Sequence, residues 1–234
     1  RSLFTNNGTL FNNADGLIQI GINTFQAASD NTEKAFNYFE STFENYGEIV
    51  NLGAIVVNDI LFNAGIIENQ AGSRFENNGL LNNSQTGVIT FAQSASLGGS
   101  VINNGIIVMS DEELLTMTSG VAGSGIFYGD TMLSGANVRP GNSAGLLTFA
   151  GDLGLENTSW FMEIFGDNRG ISFDAIDVVG DLSLFDMNIT FDIESYIDFD
   201  AVIDFEFNFM HVVGDLLDRN GNTMTDLTSW FTVT

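Results

Sequence analysis

A short unit recurs through the first half of this chain: an apolar residue is followed by Asn, soon afterwards by Gly, and then by an apolar pair. Asn tolerates left-handed backbone and Gly adopts positive φ without steric cost, so the unit turns the chain before a new strand begins. A turn-and-strand unit repeated this often predicts a solenoid. The asparagine of the unit is Asn6, Asn45, Asn63, Asn77 and Asn104 in the clear copies, and Asn51 and Asn82 in the looser ones.

The spacing between these units varies along the chain, which favours coils of variable length over a strict hexapeptide helix. With about 20 residues per coil, the chain would form about a dozen coils. At about 4.8 Å per coil, the axis would be about 55 Å long. Asparagines at equivalent corners are expected to stack into ladders in which each side-chain amide bonds to the next. The fold class predicted is therefore all-β, a right-handed parallel β-solenoid with irregular coils.

The charge balance restricts the partners of the chain. Thirty Asp and Glu face six Lys and Arg, and the net charge is -24 over 234 residues. Nucleic acids and anionic membranes attract clustered Lys and Arg, so neither is an expected partner. Apolar residues make up 44% of the chain, which is enough for a folded core. There is no Cys, which excludes disulfides and thiolate chemistry, and no apolar stretch predicts a membrane-spanning helix. The start at Arg1, without a signal-like apolar segment, is typical of a mature or trimmed chain.

The chain divides into two regions of different composition. Residues 1–132 carry the Asn-Gly units, and residues 133–234 carry Gly-Asp turns, long alternating strands and more acids. Two stretches interrupt the first region. Residues 30–42 are compatible with a short inserted helix or with a further coil, and residues 110–118 are compatible with one helical turn that Ser110 would cap.

One segment carries a family motif. Residues 138–145 read Val-Arg-Pro-Gly-Asn-Ser-Ala-Gly, and a Gly-Asp turn follows at 151–152. Residues 133–193 thereby resemble the passenger-associated repeat of bacterial autotransporters and related exported β-solenoid proteins. The resemblance implies a structural coil of a right-handed parallel β-helix and a location at the bacterial cell surface or outside the cell. It implies no particular activity, because such solenoids carry many.

Acidic residues on alternating strands are the candidate metal ligands. Side chains two residues apart lie on one face of a strand, and like charges on adjacent strands repel unless a cation neutralises them. A second candidate is a loop with carboxylate and amide oxygens at alternate positions, although it lacks the Gly and the final Glu of a hand-type calcium loop. The predicted calcium ligands are Asp192, Glu194, Asp204 and Glu206 on the strands, and Asp218, Asn220, Asn222 and Asp226 in the loop.

No residues predict catalysis, so the chain is not expected to be an enzyme. His211 is the sole histidine and has no Cys or second His to share a metal, so a structural role is expected. The 21 Phe are expected to stack inside the solenoid, whereas Trp160 and Trp230 are better candidates for surface contacts.

The predicted function is structural or adhesive. An exported bacterial surface or matrix protein would act through its sides and ends, and the unpaired strand edges of end coils favour self-association into a filament, sheath or surface layer. The alternative is a carbohydrate-binding or carbohydrate-active solenoid, with a glycan or another cell-surface partner.

Overall fold

A computed structural model describes residues 2–20, 36–39, 41–141, 143–193 and 208–225. Within these ranges the chain forms 26 strands and no helix. The strands are β1 (Ser2–Asn6), β2 (Thr9–Asn12), β3 (Leu17–Ile20), β4 (Phe36–Phe39), β5 (Ser41–Asn45), β6 (Glu48–Asn51), β7 (Ala54–Val57), β8 (Ile60–Asn63), β9 (Ile66–Asn69), β10 (Arg74–Asn77), β11 (Leu80–Asn83), β12 (Val88–Phe91), β13 (Ala95–Leu97), β14 (Ser100–Asn103), β15 (Ile106–Met109), β16 (Leu114–Met117), β17 (Gly120–Gly123), β18 (Ile126–Tyr128), β19 (Asp130–Ser134), β20 (Asn137–Pro140), β21 (Leu146–Ala150), β22 (Leu153–Ile164), β23 (Ala175–Val178), β24 (Leu182–Ile193), β25 (Met210–Val212) and β26 (Leu216–Leu217).

The strands stack in three faces, and neighbouring strands in each face are parallel. Face A contains β1, β5, β8, β11, β14, β17 and β20, and it continues into the second halves of β22 and β24. Face B contains β2, β6, β9, β12, β15, β18, β21, β23 and β25. Face C contains β4, β3, β7, β10, β13, β16 and β19, then the first halves of β22 and β24, and β26. The prediction of an all-β parallel solenoid is confirmed.

The prediction of about a dozen coils concerns the whole chain and stays a prediction, because only part of the chain is described. Face B has nine strands in the part of the chain that the structure describes, so these residues form nine coils. The coils are uneven: equivalent residues are 18 apart between Asn45 and Asn63, but 34 apart between Asp181 and Asp215. Long coils use residues without adding strands to the stack.

Alternation of side chains builds the core. Strands of four residues repeat one pattern, with the second and fourth side chains buried and the others outside, as in β6, β7, β8 and β11. Since successive strand side chains point to opposite faces, each strand contributes two residues to the interior. The interior column of face A includes Phe43, Leu61 and Leu81, each at most 1% exposed.

Asparagine ladders line two corners, as the sequence predicts. At the corner between faces A and B, each side-chain amide donates to the side-chain oxygen of the asparagine one coil further on, over 2.8–2.9 Å. This ladder contains Asn6, Asn45, Asn63, Asn83 and Asn103. At the corner between faces B and C, a shorter ladder contains Asn12, Asn51 and Asn69. Burial makes these bonds necessary, because an unpaired buried amide is costly.

The longer ladder ends for a backbone reason. Asn103 belongs to β14, and the equivalent residue of β17 is Gly123, whose φ is 108°. A Cβ at Gly123 would lie 2.1 Å from the carbonyl oxygen of Asn103. An asparagine therefore does not fit there, and the amide of Asn103 keeps only the bond to the backbone carbonyl of the next coil, that of Ile126.

Both helix interpretations are corrected where the structure describes them. Phe36–Phe39 form β4 and Ser41–Asn45 form β5, whereas residues 30–35 lie outside the described ranges. Ser110 does not cap a helix: its carbonyl accepts a hydrogen bond from the amide of Glu113 in a tight turn, in which Glu112 has a φ of 65°. Strand β16 follows at once because Leu115 and Met117 fill the core. Tertiary burial overrides local helix signals here.

The aromatic residues divide between the core and the surface. The rings of Phe127 and Phe149 stack in the interior at 5.1 Å, as expected for Phe. The prediction that Trp160 contacts the surface was wrong, since it is 1% exposed and points inward from β22. Trp230 lies outside the described residues.

Candidate functional site

Within the described residues, the first coil, formed by β1, β2 and β3, has strand edges on two faces that pair with no other described strand. Among the described strands, β1 pairs on one side only, with β5, and β2 pairs on one side only, with β6. Face C is different, because β4 pairs with the outer edge of β3. Unpaired edges are a template for another strand.

Apolar side chains surround these open edges. Leu3 is 61% exposed and Phe11 is 65% exposed. Phe4 is 37% exposed, whereas Phe43, at the equivalent position one coil further on, is fully buried. Sequence analysis missed Phe11, although its outward position follows from alternation with the inward Asn12.

A glycine column runs along the corner between faces A and B, next to the longer asparagine ladder. A Cβ at Gly47 would lie 2.1 Å from the carbonyl oxygen of Gly8, and one at Gly65 would lie 2.0 Å from that of Gly47. The same crowding by the preceding coil continues at Gly105 and Gly125. Gly8 begins the column and differs: a Cβ there meets nothing within 4 Å among the described residues. Its small size has no packing role within the described fold.

The predicted calcium ligands on the strands are only partly described. Asp192 is exposed on β24 and lies in register with Glu163 of β22, so two carboxylates sit on adjacent strands. Glu194, Asp204 and Glu206 lie outside the described residues. The structure thus brings Asp192 next to an acid that sequence analysis did not select.

The predicted calcium loop is held by its own hydrogen bonds. Oδ1 of Asp218 accepts the backbone amides of Asn220 and Asn222 at 2.8 Å each, and both its oxygens accept the side-chain amide of Asn222. These bonds, with the Asn222 side chain first, lower the pKa of Asp218. Asn220 and Asn222 are exposed, and Asp226 lies outside the described residues. A cation at Asp218 would compete with four existing hydrogen bonds from three donor groups.

Aspartates form a second column, at the corner between faces B and C. Asp130, Asp152 and Asp181 each accept a hydrogen bond through Oδ1 from the backbone amide of the next aspartate, at 3.0, 2.8 and 2.7 Å, and Asp215 is the last. Each charge-assisted bond joins two coils and offsets the repulsion between stacked carboxylates. The repeated Gly-Asp turn was the sequence signal for this column.

One aspartate is buried. Asp174 is 2% exposed, and its two oxygens accept the backbone amides of Gly145 at 2.9 Å and Glu163 at 2.8 Å. Burial raises its pKa to about 6, against the opposing effect of these two bonds. Asp174 therefore joins the end of the family-like motif to the end of β22.

Other charged groups contact each other in the eighth and ninth coils. Arg169 donates to Asp177 at 2.7 Å and to the carbonyls of Ile176 and Asn208, so it links β23 to the next coil. His211 lies 3.7 Å from the same carboxylate of Asp177. The described residues contain no group of three or more His, Cys, Asp or Glu arranged to hold a metal ion.

Comparison with known proteins gave no relatives: no family model, curated protein or solved structure matches this chain. The resemblance of residues 133–193 to the passenger-associated repeat stays a prediction. In the described ranges no helix is long and apolar enough to cross a membrane.

Proposed function

We propose that this chain is an exported structural or adhesive protein of a bacterial surface or extracellular matrix, and that it self-associates into a filament, sheath or layer. In this proposal a second copy packs on the first coil, along β1 and β2. The chain acts as a building unit and not as an enzyme.

Gly8 is the observation that carries the proposal. From the second to the sixth coil, a glycine at this corner accommodates a carbonyl group of the coil before it, namely Gly47, Gly65, Gly87, Gly105 and Gly125. The equivalent residue of the first coil, Gly8, is also a glycine, although the described fold leaves open space there. A coil from a second copy would place a carbonyl group against Gly8, in the same way that the carbonyl group of Gly8 lies against Gly47.

Two further features support stacking at this surface. The edges of β1 and β2 supply backbone hydrogen-bonding groups, and Leu3 and Phe11 supply apolar area that association would bury. A contact between different surfaces of the two copies continues into a filament unless the rotation closes it into a ring.

Electron microscopy of negatively stained wild-type protein tests the proposal directly, with sedimentation velocity as the solution measurement. We expect filaments or sheets from the wild type, and monomers from Gly8→Ala and from Phe11→Lys. Both substitutions leave the melting temperature of the monomer unchanged, because a Cβ at Gly8 meets no described residue within 4 Å and Phe11 lies outside the core.

Matched controls separate the first coil from general effects. Gly98→Ala places a methyl group in ordinary contact on another coil, and Ile171→Lys charges an apolar residue that is 75% exposed. Both controls should assemble like the wild type. Wild-type protein that stays monomeric at high concentration, with and without calcium, overturns the proposal, and so does assembly of Phe11→Lys at the wild-type level.

A further inference from the structure

The wall of the solenoid opens on face C between β10 and β13. On its other side β10 pairs with β7 through four residues, but it pairs with β13 only where Asn77 faces Leu97. β13 in turn pairs with β16 through three residues. The parallel ladder is therefore interrupted alongside residues 74–76, over a span of about 10 Å.

A cavity of about 310 Å³ occupies this interruption. It is lined by Ser73, Phe75, Phe91, Gln93, Ala95 and Ser96, with Arg74 and Glu76 beside them. The rings of Phe75 and Phe91 meet edge to face at 5.4 Å and are almost fully buried. The cavity thus combines buried aromatic surface with hydroxyl and amide groups, as small-ligand sites do.

Ser73 has unused hydrogen-bonding capacity in this cavity. It is 4% exposed, and its hydroxyl has no hydrogen-bond partner among the described residues. A buried hydroxyl without a partner is costly, so the position gains from a ligand that bonds to it.

The side of the cavity is fixed in place by Gln93. Its side-chain amide donates to the carbonyl of Ser73 at 2.8 Å, and its side-chain oxygen accepts the amide of Gly72 at 2.7 Å. These two bonds replace the missing strand pairing and join the coils next to the gap. The cavity is held open by the fold and does not require a ligand to form it.

Charge defines the kind of ligand. Arg74 and Glu76 form an ion pair with each other, which leaves the lining without net charge. A neutral molecule suits such a site better than an anion, because the chain as a whole is strongly acidic.

We propose that this cleft binds a single neutral sugar ring. Such a ring presents hydroxyl groups for Ser73 and Ser96 and C–H groups for the phenyl rings of Phe75 and Phe91. The interruption spans three residues, which is too short for an added peptide strand of ordinary length. The site lies on face C, away from the open edges of β1 and β2, so it does not depend on assembly.

Saturation-transfer NMR on the wild type and amide chemical-shift mapping on the monomeric Phe11→Lys variant test the site. The neutral probes are glucose, galactose and N-acetylglucosamine, and glucuronate is the anionic one. We expect at least one neutral sugar to bind with millimolar affinity and to shift the amides of residues 73–76 and 94–96. Glucuronate should bind more weakly. The assembly-deficient Phe11→Lys variant should bind the sugar like the wild type.

Two variants and a matched control make the test specific. Ser73→Ala should weaken binding about fivefold, the equivalent of one hydrogen bond, while leaving the protein at least as stable as the wild type. Ser96→Trp should block the cleft. Thr116→Trp is its control, because Thr116 is in register with Ser96 one coil further on, where the pairing is complete.

The outcomes are decisive in either direction. Shifts that vanish in Ser96→Trp and persist in Thr116→Trp support the site. Absence of shifts with all three neutral sugars overturns it, as does equal binding by wild type and Ser96→Trp. Preference for glucuronate overturns the neutral class of ligand.

Discussion

The side-chain amide of Asn63 donates a 2.9 Å hydrogen bond to the side-chain oxygen of Asn83, one coil further along the solenoid. Asn83 makes the same bond to Asn103, and all three residues are completely buried. The amides of Asn63 and Asn83 also donate to backbone carbonyls of their own and the next coil, as Asn83 does to Gly87 and Ile106. The ladder therefore ties side chain to turn and coil to coil.

The ladder leads to a prediction about two adjacent asparagines. Asn83→Ala removes a member of the ladder and should lower the free energy of unfolding by about 1–3 kcal/mol, because it leaves buried polar groups with fewer partners. Asn82→Ala, its neighbour on the outer side of β11, should change it by less than about 0.5 kcal/mol. Urea denaturation followed by circular dichroism measures both. Equal effects of the two substitutions would contradict the inward ladder.

The glycine column predicts a contrast within one corner. Gly65→Ala should destabilise the fold by about 1–3 kcal/mol, because its Cβ would meet the carbonyl of Gly47 and the coils would have to separate. Gly8→Ala should leave the stability of the monomer unchanged. Thermal unfolding measures the two effects, at a protein concentration low enough that assembly does not contribute to the stability. A tolerated Gly65→Ala would show that the coils separate at little cost.

Asp174 makes the stability depend on pH in a specific direction. Its pKa is raised by burial from 3.8 to about 6, so its contribution to stability is fully present below pH 3.8 and is lost as the pH rises through about 6. Replacement by Asn leaves one of the amides of Gly145 and Glu163 without an acceptor, and this is destabilising.

Comparison of Asp174→Asn with the wild type across this range isolates the titration. The cost of the substitution should be larger at the acidic end than above pH 6, because the wild type loses stability as Asp174 ionises. Urea denaturation at several pH values measures the difference, and carboxyl NMR should give a midpoint near 6 for Asp174. A cost that does not change with pH would contradict the assigned pKa.

Calcium binding is tested best at Asp192. Its carboxylate lies in register with that of Glu163, so Asp192→Asn should raise stability in chelator by about 0.2–1 kcal/mol through relief of repulsion. We predict that calcium stabilises the wild type and has a smaller effect on this variant. Asp167→Asn, in an exposed loop, is the control and should respond to calcium like the wild type. A calorimetric titration without heat, together with an unchanged melting temperature, would refute calcium binding.

Local sequence signals identified the turns and strands well, but they did not show which side chains of a strand point inward. The Asn-Gly unit predicts turns because these residue types adopt turn conformations in any context. Where two asparagines adjoin, however, the unit does not show which one points inward: Asn83 and Asn103 form the ladder, and Asn82 and Asn104 do not. A shift of one residue reverses the face of every side chain in a strand, and turn propensity does not report it.

Other differences also arise from contacts between residues distant in sequence. The helical spacing of residues 36–43 gives way to strands because β5 is held between β1 and β8. The acids with defined roles, Asp174 and the aspartate column, are distinguished from the many others only by which backbone amides face them.

By itself, the sequence determined that this chain is an acidic solenoid of irregular coils with asparagine and glycine at its corners, since period, turn chemistry and charge are local properties. Only the tertiary structure decided where the coils crowd one another and where they separate. The open space at Gly8 among the described residues and the gap between β10 and β13 both depend on how each coil packs on the next. Packing between coils is a relation between residues about twenty positions apart, and no local pattern encodes it.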